Sequence, residues 1–181
     1  MSASTVANRY AKALFELAQE KGVIEQVNDE LLGVQTIFES VPELQDIMAH
    51  PRMSLEKQHE LLKNAFSSCH EMVMNTLLVL ADRGRINIIF PLVQAFQKLS
   101  DEAFNIARAE VRAVRPLSDQ EQEQIAQQFT TKVNNRRVVV TSKQDEDLIG
   151  GLVVRIGDRV YDGSVRGQLQ RIERQIVSTN R

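Results

Sequence analysis

The sequence predicts an α+β protein: an antiparallel bundle of five to six helices over residues 1–105, followed by a small α/β domain over residues 106–181. Two observations carry this. Apolar residues recur at helical spacing through the first part, and the period switches to two after Asn105. A third is the placement of glycine: five of the chain's eight, Gly150, Gly151, Gly157, Gly163 and Gly167, fall between Asp147 and Leu169, where short strands need turns.

The first helix is expected to begin near Ser4, a plausible cap, and to stop at Gly22, a residue suited to the position beyond a helix end. A second runs from about Val23 to Ser40. Pro42 opens a short third, "PELQDIMA", because proline is tolerated in a first turn, and His50-Pro51 closes it. In "SLEKQHELLKNAF", Ser54 and Lys57 make no capping box, but Leu55, Leu62 and Phe66 share a stripe with His59 between them. A fifth helix runs from Glu71 to Arg83 and ends at Gly84; a last one covers Asn87 to Ala103, with Pro91 in its first turn. Short connections make the set an antiparallel bundle.

Beyond Asn105, Ala107, Ala109, Val111 and Ala113 alternate with Arg108, Glu110 and Arg112, the pattern of a strand with one buried face. Pro116 ends it. Ser118 and Glu121 then form a capping box for a polar helix whose thin apolar stripe is Ile125 and Phe129. "RRVVVTS" is a strand, and "LIGGLVVRIGDRVYDGSV" reads as two more. Gly157-Asp158 fits a two-residue hairpin turn, and Gly150-Gly151 suit a bulge or close backbone approach inside a strand. Asp162 or Ser164 can cap a final helix whose stripe, Val165, Leu169, Ile172 and Ile176, is expected to pack on the sheet.

Two helices carry more apolar surface than one buried face needs. In the first, Val6, Ala7, Tyr10, Ala11, Ala13, Leu14, Phe15, Leu17 and Ala18 spread over roughly 200° of arc, where a surface helix needs little over 100°. In the fifth, only Glu71, Asn75 and Asp82 form a polar strip. Either neighbouring helices cover the excess, or part of it lines a groove for a partner's amphipathic helix.

Charge and composition narrow the function classes. Net charge is −2, but residues 1–105 hold 9 Lys/Arg against 14 Asp/Glu, and the remainder 13 against 10. The acidic front argues against a nucleic-acid partner there, since such affinity rests on many Lys/Arg to phosphate contacts; the basic back leaves it open. One cysteine, Cys69, excludes an internal disulfide framework. The longest apolar runs fall far short of the roughly 20 residues of a membrane span, so no direct membrane insertion is expected. Residues 1–30, interrupted by Glu16, Glu20, Glu25 and Asp29, read as neither signal nor transit peptide.

No catalytic, cofactor or metal site is expected. Cys69-His70 are adjacent on a helical turn and point about 100° apart, with no second cysteine or nearby aspartate. His50, His59 and His70 lack ligand spacing, and Asp145-Glu146-Asp147 lacks the spaced oxygen ligands of a calcium loop. The glycines match neither a Walker loop, which ends in Gly-Lys-Ser/Thr, nor a dinucleotide fingerprint.

Three segments resemble one family. "RYAKALFELA" (9–18) looks like the first helix, "LADRGRIN" (80–87) the end of the fifth, and "GGLVVRIGDRVYDGSVRGQL" (150–169) the C-terminal signature of the delta subunit of F-type ATP synthase, the equivalent of the mitochondrial oligomycin-sensitivity-conferring protein. The resemblance spans essentially the whole chain. It implies a non-catalytic stator part, peripheral on the cytoplasmic face of a bacterial cell membrane. The helical domain would hold the N-terminal helix of an alpha subunit atop the catalytic head, in a groove at Tyr10, Ala13, Leu14, Asn75, Leu78 and Val79. The C-terminal domain would hold the distal end of the b subunits. The signature residues Gly150, Gly151, Gly157, Asp158, Asp162, Gly163, Ser164 and Gly167 would shape the fold. The rival reading is a nucleic-acid adaptor using Arg136, Arg137, Arg155 and Arg159.

Overall fold

A computed structural model describes residues 3–41, 43–49, 53–133 and 136–179. The chain divides into two compact units, Met1–Glu102 and Ala103–Arg181. The first comprises α1 (Ala3–Glu20), α2 (Ile24–Ser40), α3 (Glu43–Ala49), α4 (Leu55–Ala65), α5 (Glu71–Asp82), a short 3-10 turn (Ile86–Ile88) and α6 (Ile89–Ala103). The second comprises β1 (Ile106–Ala113), α7 (Asp119–Thr130), β2 (Arg137–Gln144), β3 (Leu152–Ile156), β4 (Arg159–Asp162) and α8 (Val165–Thr179).

In the helical unit, Ala7, Ala11, Leu14 and Ala18 form the buried seam of α1, and its three alanines leave room for neighbouring helices to approach closely. Phe38, Phe66 and Phe96 are fully buried. Phe15 meets Phe96 edge-on at 5.8 Å, and Phe38 stacks on Phe66 at 5.9 Å, the offset and T-shaped arrangements that ring quadrupoles favour. Truncating such a core ring to alanine costs about 3–5 kcal/mol.

Helix ends follow local chemistry, with corrections. α1 starts at Ala3, so Ser4 lies inside it and is not its cap. Beyond its last turn Gly22 N–H donates to Gln19 O (3.1 Å) and Val23 N–H to Ala18 O (2.9 Å), the paired bonds of a Schellman motif. α5 ends the same way: Gly84 N–H donates to Ala81 O and Arg85 N–H to Leu80 O. Ser54 caps α4, but Leu55 is exposed while Leu62 and Phe66 are buried, so the expected stripe loses its first member. A cap residue's neighbour sits at the helix rim, where the stripe has little to pack against. The expected helix ends at Pro42 and His50-Pro51 lie outside the described residues.

Two histidines, His59 and His70, hold helices in place; His50 lies outside the described residues. His70 caps α5, its Nδ1 accepting from Met72 N–H, while its own backbone N–H donates to Glu30 of α2 at 2.6 Å. His59 of α4 pairs with Asp82 of α5 at 2.8 Å. Burial, and secondarily the Glu30 charge, raise the Cys69 thiol, which disfavours the nucleophilic thiolate.

In the second unit the sheet order is β2-β1-β3-β4. β1 and β2 are parallel and joined across α7, which a parallel pair requires; β3 is antiparallel to β1 and β4 to β3. Ala107, Ala109, Val111 and Ala113 are buried on alternate positions, as the period-two pattern predicts. Ile125 and Phe129 of α7 pack onto that face with Val138 and Val154. The Ser118–Glu121 capping box is formed in both directions.

Candidate functional site

The excess apolar arc of α1 faces an open cleft. α1 buries Ala7, Ala11, Leu14 and Ala18, and the residues one step round the helix, Tyr10, Ala13 and Leu17, form one wall. α5 supplies the other wall through Met72, Asn75, Thr76 and Val79, its opposite face being committed to the core by Val73, Leu77, Leu80 and Ala81. The cleft encloses about 330 Å3, with Lys21 and Glu71 towards one end. Leu17 is 51% and Val79 43% exposed. Covering each would contribute about 1 kcal/mol, roughly half the value of complete burial.

At the other end a second hollow of about 350 Å3 continues the first, sharing Tyr10 and Ala13 and adding Val6, Arg9 and Arg85. Arg85 sits there because the Schellman turn after α5 fixes its backbone, and its Nη1 donates to the Tyr10 hydroxyl at 3.4 Å. Tyr10, midway along α1, meets the turn after α5, and Lys21 just past the end of α1 shares the cleft with Glu71 at the start of α5, so the two helices run antiparallel along it.

Of the residues named for the groove, Tyr10, Ala13, Leu14, Asn75 and Val79 line this cleft. Leu78 does not: it is half-buried against the core. Sequence reasoning missed Leu17, Lys21, Met72 and Thr76; Leu17 was visible in the apolar arc, whereas the rest needed the pairing of α1 with α5.

The glycine-rich stretch builds a corner between β4 and α8. Gly150-Gly151 precede β3 rather than lying inside a strand, because the chain there crosses under the start of α8. Val165 N–H donates to Gly150 O and Gly163 N–H to Leu152 O, both at 3.0 Å. Gly151 has φ +78°, and a Cβ on it would strike the Gly163 carbonyl and Ser164 Cα. Gly157 (φ +57°) and Asp158 turn the β3–β4 hairpin, positive φ falling only on the glycine. Ser164 is the residue that caps α8, its hydroxyl accepting from Gly167 N–H at 3.0 Å, while Asp162 accepts from Ser164 N–H at 2.8 Å. The Ser164 hydroxyl and N–H hold the Asp162 carboxyl below its ordinary range, with Arg171 and Arg112 adding to this. A Cβ on Gly167 would overlap that carboxylate.

α8 then departs from expectation. Its stripe does not pack on the sheet: Val165, Leu169 and Ile172 are 40%, 59% and 52% exposed, and the side chain of Ile176 lies outside the described residues. One sheet face is already taken by α7, and periodicity shows that a helix has an apolar face without showing what covers it. The arginines of the rival reading are divided between the two edges of the sheet, β2 and the β3–β4 hairpin. Arg137 opens β2, Arg155 lies on β3 beside Glu110 and Asp158, and Arg159 opens β4 opposite Ile156.

An apolar cleft between two helices and an apolar stripe on a third are the surfaces that a component of a larger assembly presents to its neighbours. The family model of the ATP synthase delta (OSCP) subunit matches residues 6–176, and the chain belongs to that family. It is 45% identical over 179 residues to the ATP synthase subunit delta of Halalkalibacterium halodurans, covering 98% of each chain. It is 42% identical over 181 residues to that of Bacillus subtilis, covering both chains completely. A chain in the Toxoplasma gondii mitochondrial ATP synthase hexamer shares the fold, with a TM-score of 0.70 at 20% identity over 94% of this chain and 97% of that one. Membership places the chain in ATP synthesis and proton transport, as a peripheral-stalk component of a membrane-associated complex. Among the described residues no helix is long and apolar enough to cross a membrane.

Proposed function

We propose that the chain is a non-catalytic link in the stator of the synthase. The helical unit holds the N-terminal helix of an alpha subunit in the α1–α5 cleft, and the sheet unit holds the distal end of the b subunits along the exposed stripe of α8. Rotor torque acting on the catalytic head is then resisted through one covalent chain with an attachment in each unit, on the cytoplasmic face of the membrane. The observation that carries this reading is the cleft: residues singled out by resemblance on two separate helices, Tyr10, Ala13 and Leu14 with Asn75 and Val79, converge on one apolar trough. The 1.5 Å rise per residue makes the stretch from Val6 to Lys21 about 22 Å long, room for about four turns of a docked helix.

Ala13→Glu tests it. Ala13 is exposed on the cleft wall, so the fold tolerates the change, but a docked helix would bury the new carboxylate without a partner. Titration of the full chain with a peptide copying the N-terminus of the alpha subunit should give binding to the parent protein and at least about tenfold weaker binding to the variant, for a burial penalty above about 1.4 kcal/mol. Equal binding by both proteins would show that the helix docks elsewhere.

A further inference from the structure

The cleft is not electrically uniform along its length. Its Lys21–Glu71 end carries one charge of each sign, whereas the Val6–Tyr10 end carries two cations, Arg9 and Arg85. The carboxylates nearest in sequence are committed elsewhere. Glu16 pairs with Lys12 at 3.8 Å on the exposed side of α1, and Asp82 pairs with His59 of α4 at 2.8 Å. Among the described residues neither Arg9 nor Arg85 forms an ion pair, and the Tyr10 hydroxyl that receives Arg85 Nη1 is neutral. Two like charges beside one hollow repel each other, and a carboxylate set between them offsets that repulsion and accepts charge-assisted hydrogen bonds from both.

We propose that Arg9 and Arg85 form a carboxylate clamp at one end of the cleft. The clamp selects an amphipathic helix with acidic side chains near one end and fixes the direction in which that helix lies. This rests on reading the cleft as a helix-binding site. It adds a polarity that the apolar walls alone cannot supply, since an apolar trough of about four turns accepts a stripe in either direction. Charge at the rim gives register and orientation, and the apolar floor gives the bulk of the affinity.

The test uses the full chain and the peptide copying the N-terminus of the alpha subunit, in its native form and with the acidic residues of one end or of the other replaced by glutamine. Affinities are measured at low and at moderate salt for the parent protein and for Arg9→Gln, Arg85→Gln, the double variant and Lys12→Gln. Arg9→Gln and Arg85→Gln should each weaken binding about two- to fivefold and the pair about tenfold, as expected for exposed ion pairs. The salt dependence should flatten in parallel, and Lys12→Gln, on the exposed side of α1 outside the cleft, should stay within about twofold of the parent. The peptide lacking acids at the clamp end should lose affinity for the parent and lose nothing further against the double variant. A nitroxide on that same end should broaden the amide signals of residues 9–13 and 85, leaving those around Lys21 and Glu71 sharp. Arg9, which touches no partner among the described residues, serves as the variant free of folding effects. Unchanged affinity and salt dependence in the double variant, or broadening at the Glu71 end, overturns the clamp while leaving helix binding intact. A parent protein that binds no peptide removes both.

Discussion

Gly151 and Gly157 both have positive φ, yet their surroundings differ. Gly157 faces open space, whereas a side chain on Gly151 would meet the backbone of the β4–α8 corner. Gly157→Ala should cost about 1–2 kcal/mol, the ordinary penalty of a left-handed alanine. Gly151→Ala carries that penalty and a backbone collision besides, so its drop in the melting temperature of the sheet unit should be at least about twice as large. Equal drops would show that the corner yields freely. The capping box of α7 gives a second residue-scale expectation. Arg115, helped by the Ser118 N–H and hydroxyl, pulls the Glu121 carboxyl down to about 2. An unfolded glutamate titrates near 4.3, so between these values the unfolded chain binds the extra proton. The stabilisation is present above about pH 4.3 and is lost as pH falls towards 2. Urea midpoints followed on β1 amide signals should therefore fall less between pH 5 and pH 2.5 in Glu121→Gln than in the parent; identical acid limbs would contradict the assignment. The capping box was legible because its chemistry lies within four residues. The role of His70 was not, because its backbone N–H donates to Glu30, forty positions away.

Elements were legible where their partner is close in sequence. The alternation in β1 named its buried face correctly, since α7 follows within a few residues and has only that face to cover. The stripe of α8 was equally visible, but its expected destination was wrong. A 15-residue helix launched by the Ser164 cap keeps Leu169 and Ile172 in solvent, and nothing local in the sequence says so. The same limit applied to α1 and α5, whose excess apolar surface could be counted but not apportioned between core and cleft. Leu169→Ser with Ile172→Ser should leave the stability of the sheet unit within about 0.5 kcal/mol, as for other exposed positions. It should also abolish capture of a soluble segment from the distal end of the b subunits. A large loss of stability would place the stripe in a packed core, and undiminished capture would place the b contact on another surface.

At the scale of the whole molecule, the change of period after Asn105 and the compact units meeting at residues 102–103 divide the chain at nearly the same place. Charge divides it similarly, acidic before and basic after. In the proposed link, the two compact units of one chain carry one attachment each, so the two should be lost separately, and that is the central claim. It is tested most directly by sedimentation of the full chain mixed with soluble catalytic head and a soluble segment from the distal end of the b subunits. The parent protein should form a ternary complex. Ala13→Glu should leave only the complex with b, and Leu169→Ser with Ile172→Ser only the complex with the head. Loss of the same partner by both variants, or retention of both partners by either, would contradict it.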